Sequence, residues 1–493
     1  MEMLLVPWEF FVNNFLKQPA FFIGLIVFIG YLLLRKPWYE CLSGFVKASV
    51  GYFILIAGAG GLVSSFRPVL LGLKDQFNMS VTVIDPYFGQ EAVTRAMEGM
   101  GRSFSQVMVL LLIAFIFNIV LVRFQKYTKL RAVFTTGHVQ MQQSATAFWL
   151  LLFCFPELGD GTLLVMMALA LGLYWSVGSN LTVAPAQRLT DGAGFAVGHQ
   201  QMFAIAIFSK LSQIIFGRKK SETETESKRI EDIKLPGFMS IFNENMVATT
   251  ILMTLFFGII MTILGKDYLI ENKFMKPEET FFFFIMTMAM KFATYLAILQ
   301  LGVRTFVAEL TESFHGISSK WLPGAVPGID CAATYGFGSQ NAITLGFMLG
   351  ACGQFLGIGL LLAMGSPTVI VAAFIPMFFD NATIALFSNR HGGYKAALIM
   401  PFIAGLCQVL GSAYIAHLTG LDKFGGYLGM WDWAVIWPGF TTLMHYTAFI
   451  GFGIVIFILI LIPQLQYRSN PEGYFLIVDD YEEYKRRFPK DAA

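Results

Sequence analysis

Residues 180–201 read NLTVAPAQRLTDGAGFAVGHQQ, and their placement decides the fold. Before them, Thr162–Val177 is long and apolar enough to enter a bilayer, and after Gln201 an apolar run resumes. Between these lie Pro185, Arg188, Asp191, Gly192 and Gly194, then Gly198-His199-Gln200-Gln201. Non-helical backbone survives at membrane depth only where protein buries it or it lines a cavity. Asn180–Gly198 is therefore expected to be a broken or re-entrant helix. Trp321–Gly338, with Pro323, Gly324, Pro327, Gly328, Gly336 and Gly338, carries the same expectation.

Working outward, apolar runs near the ~20 residues that span a bilayer recur from end to end. They are Pro19–Leu34, Phe45–Val63, Phe104–Val122, Ala132–Phe155, Thr162–Val177, Met246–Leu264, Phe281–Leu301, Ala342–Ala363, Thr368–Phe387, Ala396–Ile415 and Ala434–Ile462. The last is long enough to hold a kink. Only 13% of the 493 residues are charged, against about 25% in soluble domains, and 56% are hydrophobic. The expected fold is an all-α polytopic membrane protein of about 11 transmembrane helices, some broken or re-entrant. Residues 18–465 form the transmembrane domain, residues 1–17 an interfacial helix and residues 466–493 a cytoplasmic tail. A charged linker, 218–234, separates the halves. No signal peptide is evident, because Arg35-Lys36 follows the first apolar stretch.

Basic residues mark sidedness. They gather at Arg35-Lys36, Arg123 to Arg131, Arg218-Lys219-Lys220 and Lys485-Arg486-Arg487. All four groups are cytoplasmic if the N-terminus is outside and the span count is odd, which eleven satisfies. Cys41, Cys154, Cys331, Cys352 and Cys407 form no Cys-x-x-Cys pair, so neither a disulfide framework nor a zinc site is expected. Phosphate-loop, His-Glu-x-x-His and Gly-x-Ser-x-Gly motifs are absent. No basic patch is large enough for nucleic acid.

Two patterns concern packing. Ser179-Asn180-Leu181-Thr182-Val183-Ala184 is echoed by Asp380-Asn381-Ala382-Thr383-Ile384-Ala385, and paired interruptions in two halves of a transporter point to its binding site. Asn180-Leu-Thr182 and Asn381-Ala-Thr383 also match the glycosylation sequon, but both are expected inside the membrane. Gly346, Gly350, Gly353 and Gly357 share one helix face, expected to lie close against another helix.

Polar groups are costly in hydrocarbon and face a partner or a water-filled cavity. Four motifs stand out: Asp85-Pro86-Tyr87, Gly137-His138 with Gln142, Gly198-His199-Gln200, and Gly328-Ile329-Asp330. His138 and Gln142, four apart, share a helix face and suit a hydroxyl-rich ligand. His199 and Gln200 open a resuming helix, whose unpaired N–H groups favour an anion. Asp330 has no Lys or Arg near it in sequence; it can accept sugar hydroxyls or bind a proton or sodium ion. Interhelical hydrogen bonding is the plainer use of such groups, and it is the reading for His315, His391, His417 and His445 taken singly.

The chain resembles the ascorbate-specific membrane (IIC) component of the bacterial phosphoenolpyruvate-dependent phosphotransferase system. The resemblance runs over essentially the whole chain. It rests on Leu33-Leu34-Arg35-Lys36, Thr136-Gly137-His138 with Gln142-Gln143, and Asp191-Gly192 to Gly198-His199-Gln200-Gln201. Phe306-Val307-Ala308-Glu309-Leu310, Pro323-Gly324-Ala325-Val326, Ile329-Asp330-Cys331-Ala332-Ala333 and Phe374-Ile375-Pro376-Met377-Phe378-Phe379 complete it.

The resemblance implies a homodimer in the bacterial cytoplasmic (inner) membrane, two inverted repeats, a rim domain at the dimer contact and a moving core domain. L-ascorbate would enter from outside and leave as L-ascorbate 6-phosphate. A separate IIB protein, charged by IIA, would donate the phosphoryl group. The chain is then a transport subunit with no phosphoryl-donor residue of its own, no cofactor and no metal. The implied sugar-binding positions are Pro86, Tyr87, His138, Gln142, His199, Gln200 and Asp330. At Pro86, where relatives can carry a hydroxyl, only a carbonyl is available. The competing expectation is an ion-coupled secondary transporter of an anionic small molecule, with Asp330 as the coupling site.

Overall fold

The computed structural model describes residues 19–77, 80–217, 244–322 and 324–489, with isolated positions between 230 and 241. The expected interfacial helix 1–17 and nearly all of the 218–234 linker lie outside the described residues. Helices dominate. They are α1 (Pro19–Leu33), α2 (Trp38–Phe77), α3 (Pro86–Gly99), α4 (Ser105–Arg123), α5 (Gly137–Cys154), α6 (Asp160–Thr190) and α7 (Met202–Phe216). After the linker come α8 (Asn245–Leu264), α9 (Phe281–Trp321), α10 (Gln340–Ala363), α11 (Asn381–Thr419) and α12 (Trp431–Ser469). Two short tail helices, α13 (Pro471–Asp479) and α14 (Tyr481–Arg487), end the chain.

Seven helices among the described residues are long and apolar enough to cross a membrane, so the protein is a multi-pass membrane protein. In α12 the apolar window has a mean hydropathy of 2.6 yet is only 22% buried. An apolar surface of that extent needs lipid or another chain to cover it. The kink expected in this helix lies at Ala448 (φ 50°, ψ −126°). In α11 the break is at Gly393, whose φ of 71° is natural only to glycine.

Helices α1, α2, α8 and α9 pack chiefly on one another. A polar cluster joins three of them: Tyr31 Oη donates to Glu309 (2.7 Å) and Glu312 (2.8 Å), Lys47 pairs with Glu309 (3.0 Å), and Lys36 with Glu312. The remaining helices surround two small sheets that the sequence reading did not anticipate.

One sheet joins β1 (Ser80–Ile84) between β5 (Thr368–Ala372) and β6 (Gly426–Tyr427); the other joins β4 (Val326–Ile329) between β2 (Ala132–Phe134) and β3 (Ala196–Val197). All pairings are parallel. Val81-Thr82-Val83-Ile84 and Thr368-Val369-Ile370-Val371-Ala372 are fully buried runs, and parallel strands covered on both faces read as continuously apolar. Thr368–Phe387, expected as one span, thus opens as a strand, passes through a π-helical turn, Pro376–Asp380, and only then becomes α11. In the second sheet, edge-strand N–H groups are met by helices: Val197 N–H donates to Thr182 Oγ1 (2.9 Å), and Phe134 N–H to Asn118 Oδ1 (3.1 Å).

The break expected over Asn180–Gly198 is displaced. Helix α6 continues through Pro185 to Thr190, and the chain turns at Asp191 (φ 54°) and Gly192 (φ 88°). The break over Trp321–Gly338 is as expected, with β4 and a 3₁₀ turn, Cys331–Phe337, between α9 and α10; Pro323 lies outside the described residues. Asn180 and Asn381 are buried, so neither sequon is open to modification. The four stripe glycines face α11: side chains at 346 and 350 would run into Asn381 and Ala385, and at 353 and 357 into Phe402 and Val409.

The tail packs back on the fold. Asn180 Nδ2 donates to Tyr474 Oη (2.8 Å), the Arg131 guanidinium stacks on Tyr474 (3.7 Å), and Lys485 pairs with Asp191 (3.1 Å). The Arg123–Arg131 basic segment and the tail therefore share one face of the molecule.

Candidate functional site

The sheet order β2-β4-β3 explains why three polar motifs far apart in sequence meet. Parallel strands end at the same edge, so the residues after each strand collect there. Phe134 pairs with Gly328, and Val197 with Ile329. Thr135 N–H donates to Gly328 O (2.9 Å) and Gly198 N–H to Ile329 O (2.8 Å), extending the register beyond the strands. A Cβ at Gly198 would lie 2.5 Å from Gly328 O, so only glycine permits this approach. Asp330 follows β4 directly, His199 comes two residues after β3, and His138 is the second residue of α5.

His138 Nε2 lies 3.5 Å from Asp330 Oδ2, and His199 Nε2 lies 4.0 Å from Asp330 Oδ1. The two imidazole rings are 6.4 Å apart. One donor atom from each of the three residues falls within 4.8 Å of the others. Beside them, Gln200 Nε2 donates to Gln142 Oε1 (2.6 Å), joining the α5 face to the turn before α7. The His138 and Asp330 side chains are 26% and 37% exposed and that of His199 only 6%, so the cluster is open on one side. His138, Gln142, His199, Gln200 and Asp330 therefore converge. Pro86 and Tyr87 start α3 at the end of β1, in the other sheet, and α3 packs on α5.

Supports that the sequence reading left out hold these groups. Gln201 Nε2 donates to Phe379 O and Thr383 Oγ1 (both 3.3 Å), which turns Gln201 Oε1 toward His199 Nδ1 at 2.5 Å. Gln143 donates to His199 O (3.3 Å) and accepts from Trp175 Nε1 (2.5 Å). Both were visible as the second member of a Gln-Gln pair, and both contact His199. Asp330 Oδ1 accepts from Ala332 N–H (2.9 Å), capping the 3₁₀ turn.

One expectation is corrected. The N-terminus of α7 is not free for an anionic ligand. Asp432, at the start of α12, accepts from Phe203 N–H (3.0 Å), Ala204 N–H (3.0 Å) and Tyr174 Oη (2.8 Å). Its own N–H donates to Gln200 O (3.3 Å). A resident carboxylate thus fills the N-cap position that a ligand was expected to take.

The remaining histidines are accounted for locally. His391 Nδ1 contacts Phe387 O (2.8 Å), His417 Nδ1 pairs with Asp422 (2.9 Å), and His445 stacks on Phe153 at 4.7 Å. The side chain of His315 lies outside the described residues.

Residues 14–449 match the family model for the sugar-specific permease component of the phosphotransferase system. The chain is also similar to the "Ascorbate-specific PTS system EIIC component" of Mycoplasma pneumoniae, 32% identical over 441 residues. That match covers 81% of this chain and 65% of the relative, so the chain spans somewhat less than two thirds of the relative's length. With the family model matched across most of its length, the chain belongs to the sugar-specific permease components of the phosphotransferase system.

Proposed function

We propose that this permease carries L-ascorbate across the bacterial cytoplasmic membrane and presents it to a separate IIB protein, charged by IIA, for release as L-ascorbate 6-phosphate. The observation that carries the reading is the meeting of His138, His199 and Asp330 at one sheet edge, beside the Gln142–Gln200 pair. Two imidazoles, two carboxamides and a carboxylate match a small ligand dense in hydroxyls. The relative's name supplies the particular sugar. Pro86 and Tyr87 join the site from the other sheet.

An elevator-type movement is part of this reading. Each sheet takes its central strand from one half of the chain and its flanking strands from the other, which supports a pair of inverted repeats. The 179–184 and 380–385 echo falls between the second and third strand of each half in chain order, within α6 and at the start of α11. The bundle α1, α2, α8 and α9 is the rim through which two copies pair. The two-sheet unit is the core that carries the sugar past it as a rigid body. Close α10–α11 packing along the glycine face keeps that unit rigid. About eleven spans, with the N-terminus outside and the C-terminus inside, put the basic segments on the cytoplasmic side.

The test is uptake of labelled ascorbate in cells that carry or lack IIB. Intracellular product that is phosphorylated, and lost without IIB, supports the proposal. Gradient-driven entry of unmodified ascorbate, independent of IIB, would establish the competing ion-coupled reading, with Asp330 as the coupling site.

A further inference from the structure

The Gln201 amide fixes the chemistry of His199. Its nitrogen is committed to Phe379 O and Thr383 Oγ1, so its oxygen must accept from His199 Nδ1–H. In the neutral ring the lone pair is then on Nε2, and that atom faces Asp330 Oδ1 at 4.0 Å. Two acceptors held face to face call for a donor or a cation between them. His138 Nε2, 3.5 Å from the other carboxylate oxygen, brings a third donor atom to the same space.

We infer that His138, His199 and Asp330 form a binding site for a divalent transition ion of the zinc class, and that this ion and the sugar exclude one another. Bonds of ~2.0–2.2 Å from zinc to imidazole and carboxylate place tetrahedral ligands roughly 3.4 Å apart. The His138–Asp330 separation of 3.5 Å already has that size, and the ligand atoms, all within 4.8 Å of one another, have to close by up to about 1.4 Å. Three protein ligands with one side open is the arrangement that leaves a fourth position for water. A carboxamide holding the remote ring nitrogen of a ligating histidine is the partner that fixes its tautomer. Magnesium and calcium are excluded by the donor set, because they require oxygen ligands. The sugar-exclusion half of the inference rests on the proposed function, since Asp330 cannot serve both occupants.

The experiment uses the purified full-length protein in detergent, with Co2+ and Zn2+ as probes. Both are inert toward reduction by ascorbate, unlike Cu2+ and Fe3+. Titration with Co2+ in the absence of sugar is expected to give one saturable site per protomer with the visible bands of a low-coordinate ion. His199→Ala and Asp330→Asn should abolish it, and Gln201→Ala should weaken it by roughly ten- to a hundredfold. Mg2+ should neither bind nor compete. Binding unchanged in both His199→Ala and Asp330→Asn overturns the site, because the ion then lies elsewhere. Far-UV circular dichroism and thermal melts verify folding, and His199→Gln, which keeps a polar side chain, replaces His199→Ala if that variant unfolds. In the second arm, free Zn2+ should raise the apparent Kd for ascorbate in proportion to its concentration. Sugar affinity that rises or stays constant overturns the exclusion. Metal binding without any ascorbate binding would sink the proposed function and leave the metal site standing, whereas ascorbate binding without metal binding does the reverse.

Discussion

The two sheets are built alike and loaded differently. Each is three short parallel strands with polar residues gathered after their ends. Around β5-β1-β6 those residues include three carboxylates, each occupied with holding structure. Asp85 accepts from Tyr87 N–H (2.8 Å) and Phe88 N–H (3.3 Å) at the start of α3. Asp380 accepts from Gln408 (2.6 Å) and from Trp431 N–H (2.7 Å) at the start of α12. Asp432 caps α7. Around β2-β4-β3 the carboxylate of Asp330 takes a single backbone N–H, lies beside the Cys331 thiol and faces two imidazoles in a partly open space. A buried carboxylate therefore does not by itself mark a binding site. What its oxygens face decides.

The largest effect expected from this contrast is at Asp330. Asp330→Asn replaces an acceptor oxygen by a donor and leaves the backbone untouched. If two sugar hydroxyls are lost at ~1.5–3 kcal/mol each, ascorbate affinity and uptake fall about a hundredfold or more. The thermal midpoint should stay near that of the parent protein. A variant that melts early while keeping its affinity would place Asp330 with the structural carboxylates.

Asp432 should behave in the opposite way. Asp432→Ala leaves the N–H groups of Phe203 and Ala204 and the Tyr174 hydroxyl without their acceptor, at about 1–3 kcal/mol for each buried group. The expected result is a much lower thermal midpoint, with sugar binding weakened only through the loosened Gln200 turn. Asp432→Asn retains one acceptor oxygen and should recover part of the loss. Equal melting of Asp432→Ala and the parent protein would erase the distinction between the two sheets.

His138→Ala and Gln142→Ala come next. In the proposed site each removes one hydrogen bond to the sugar, so affinity should fall roughly ten- to over a hundredfold, from ~1.5–3 kcal/mol. Titration calorimetry on folded protein measures it. Unchanged affinity in both would return the α5 face to ordinary interhelical bonding.

The polar half of this contrast was legible in the sequence because imidazole and carboxylate do not belong in hydrocarbon. His138, Gln142, His199, Gln200 and Asp330 each announced themselves by type. The sheets did not. Thr368–Ala372 and Ala132–Phe134 are short apolar runs inside longer apolar segments, and periodicity alone does not separate such a strand from a span. Their pairing partners lie far away in the chain, so no local signal exists. Pro185 misled because proline can sit inside a membrane helix when neighbours satisfy the freed carbonyl. Asp432 escaped notice, and Asp380 entered only as part of the 380–385 echo, because nothing local distinguishes a carboxylate that caps a helix from another part of the chain. Gln143 and Gln201 were in view, but their supporting role depends on Trp175, Phe379 and Thr383, which only the fold brings near.

The smallest expected effect is at Pro86, where the second sheet is proposed to reach the site. Pro86 is the first residue of α3, a position whose N–H would be unpaired in any case. Alanine keeps the carbonyl, which is all that proline can offer a ligand, and keeps the Asp85 cap on Tyr87 and Phe88. What changes is the freedom of the unfolded chain, about 0.4–1 kcal/mol of stability. Ascorbate affinity should therefore move by less than about fivefold, the equivalent of ~1 kcal/mol. Tyr87→Phe provides the companion measurement, since it removes a hydroxyl and leaves the ring in place. If Pro86→Ala alone lowers affinity tenfold or more while the melt is unchanged, the second sheet positions the sugar directly through its helix start. The division into a structural and a binding sheet would then give way to a site shared between them.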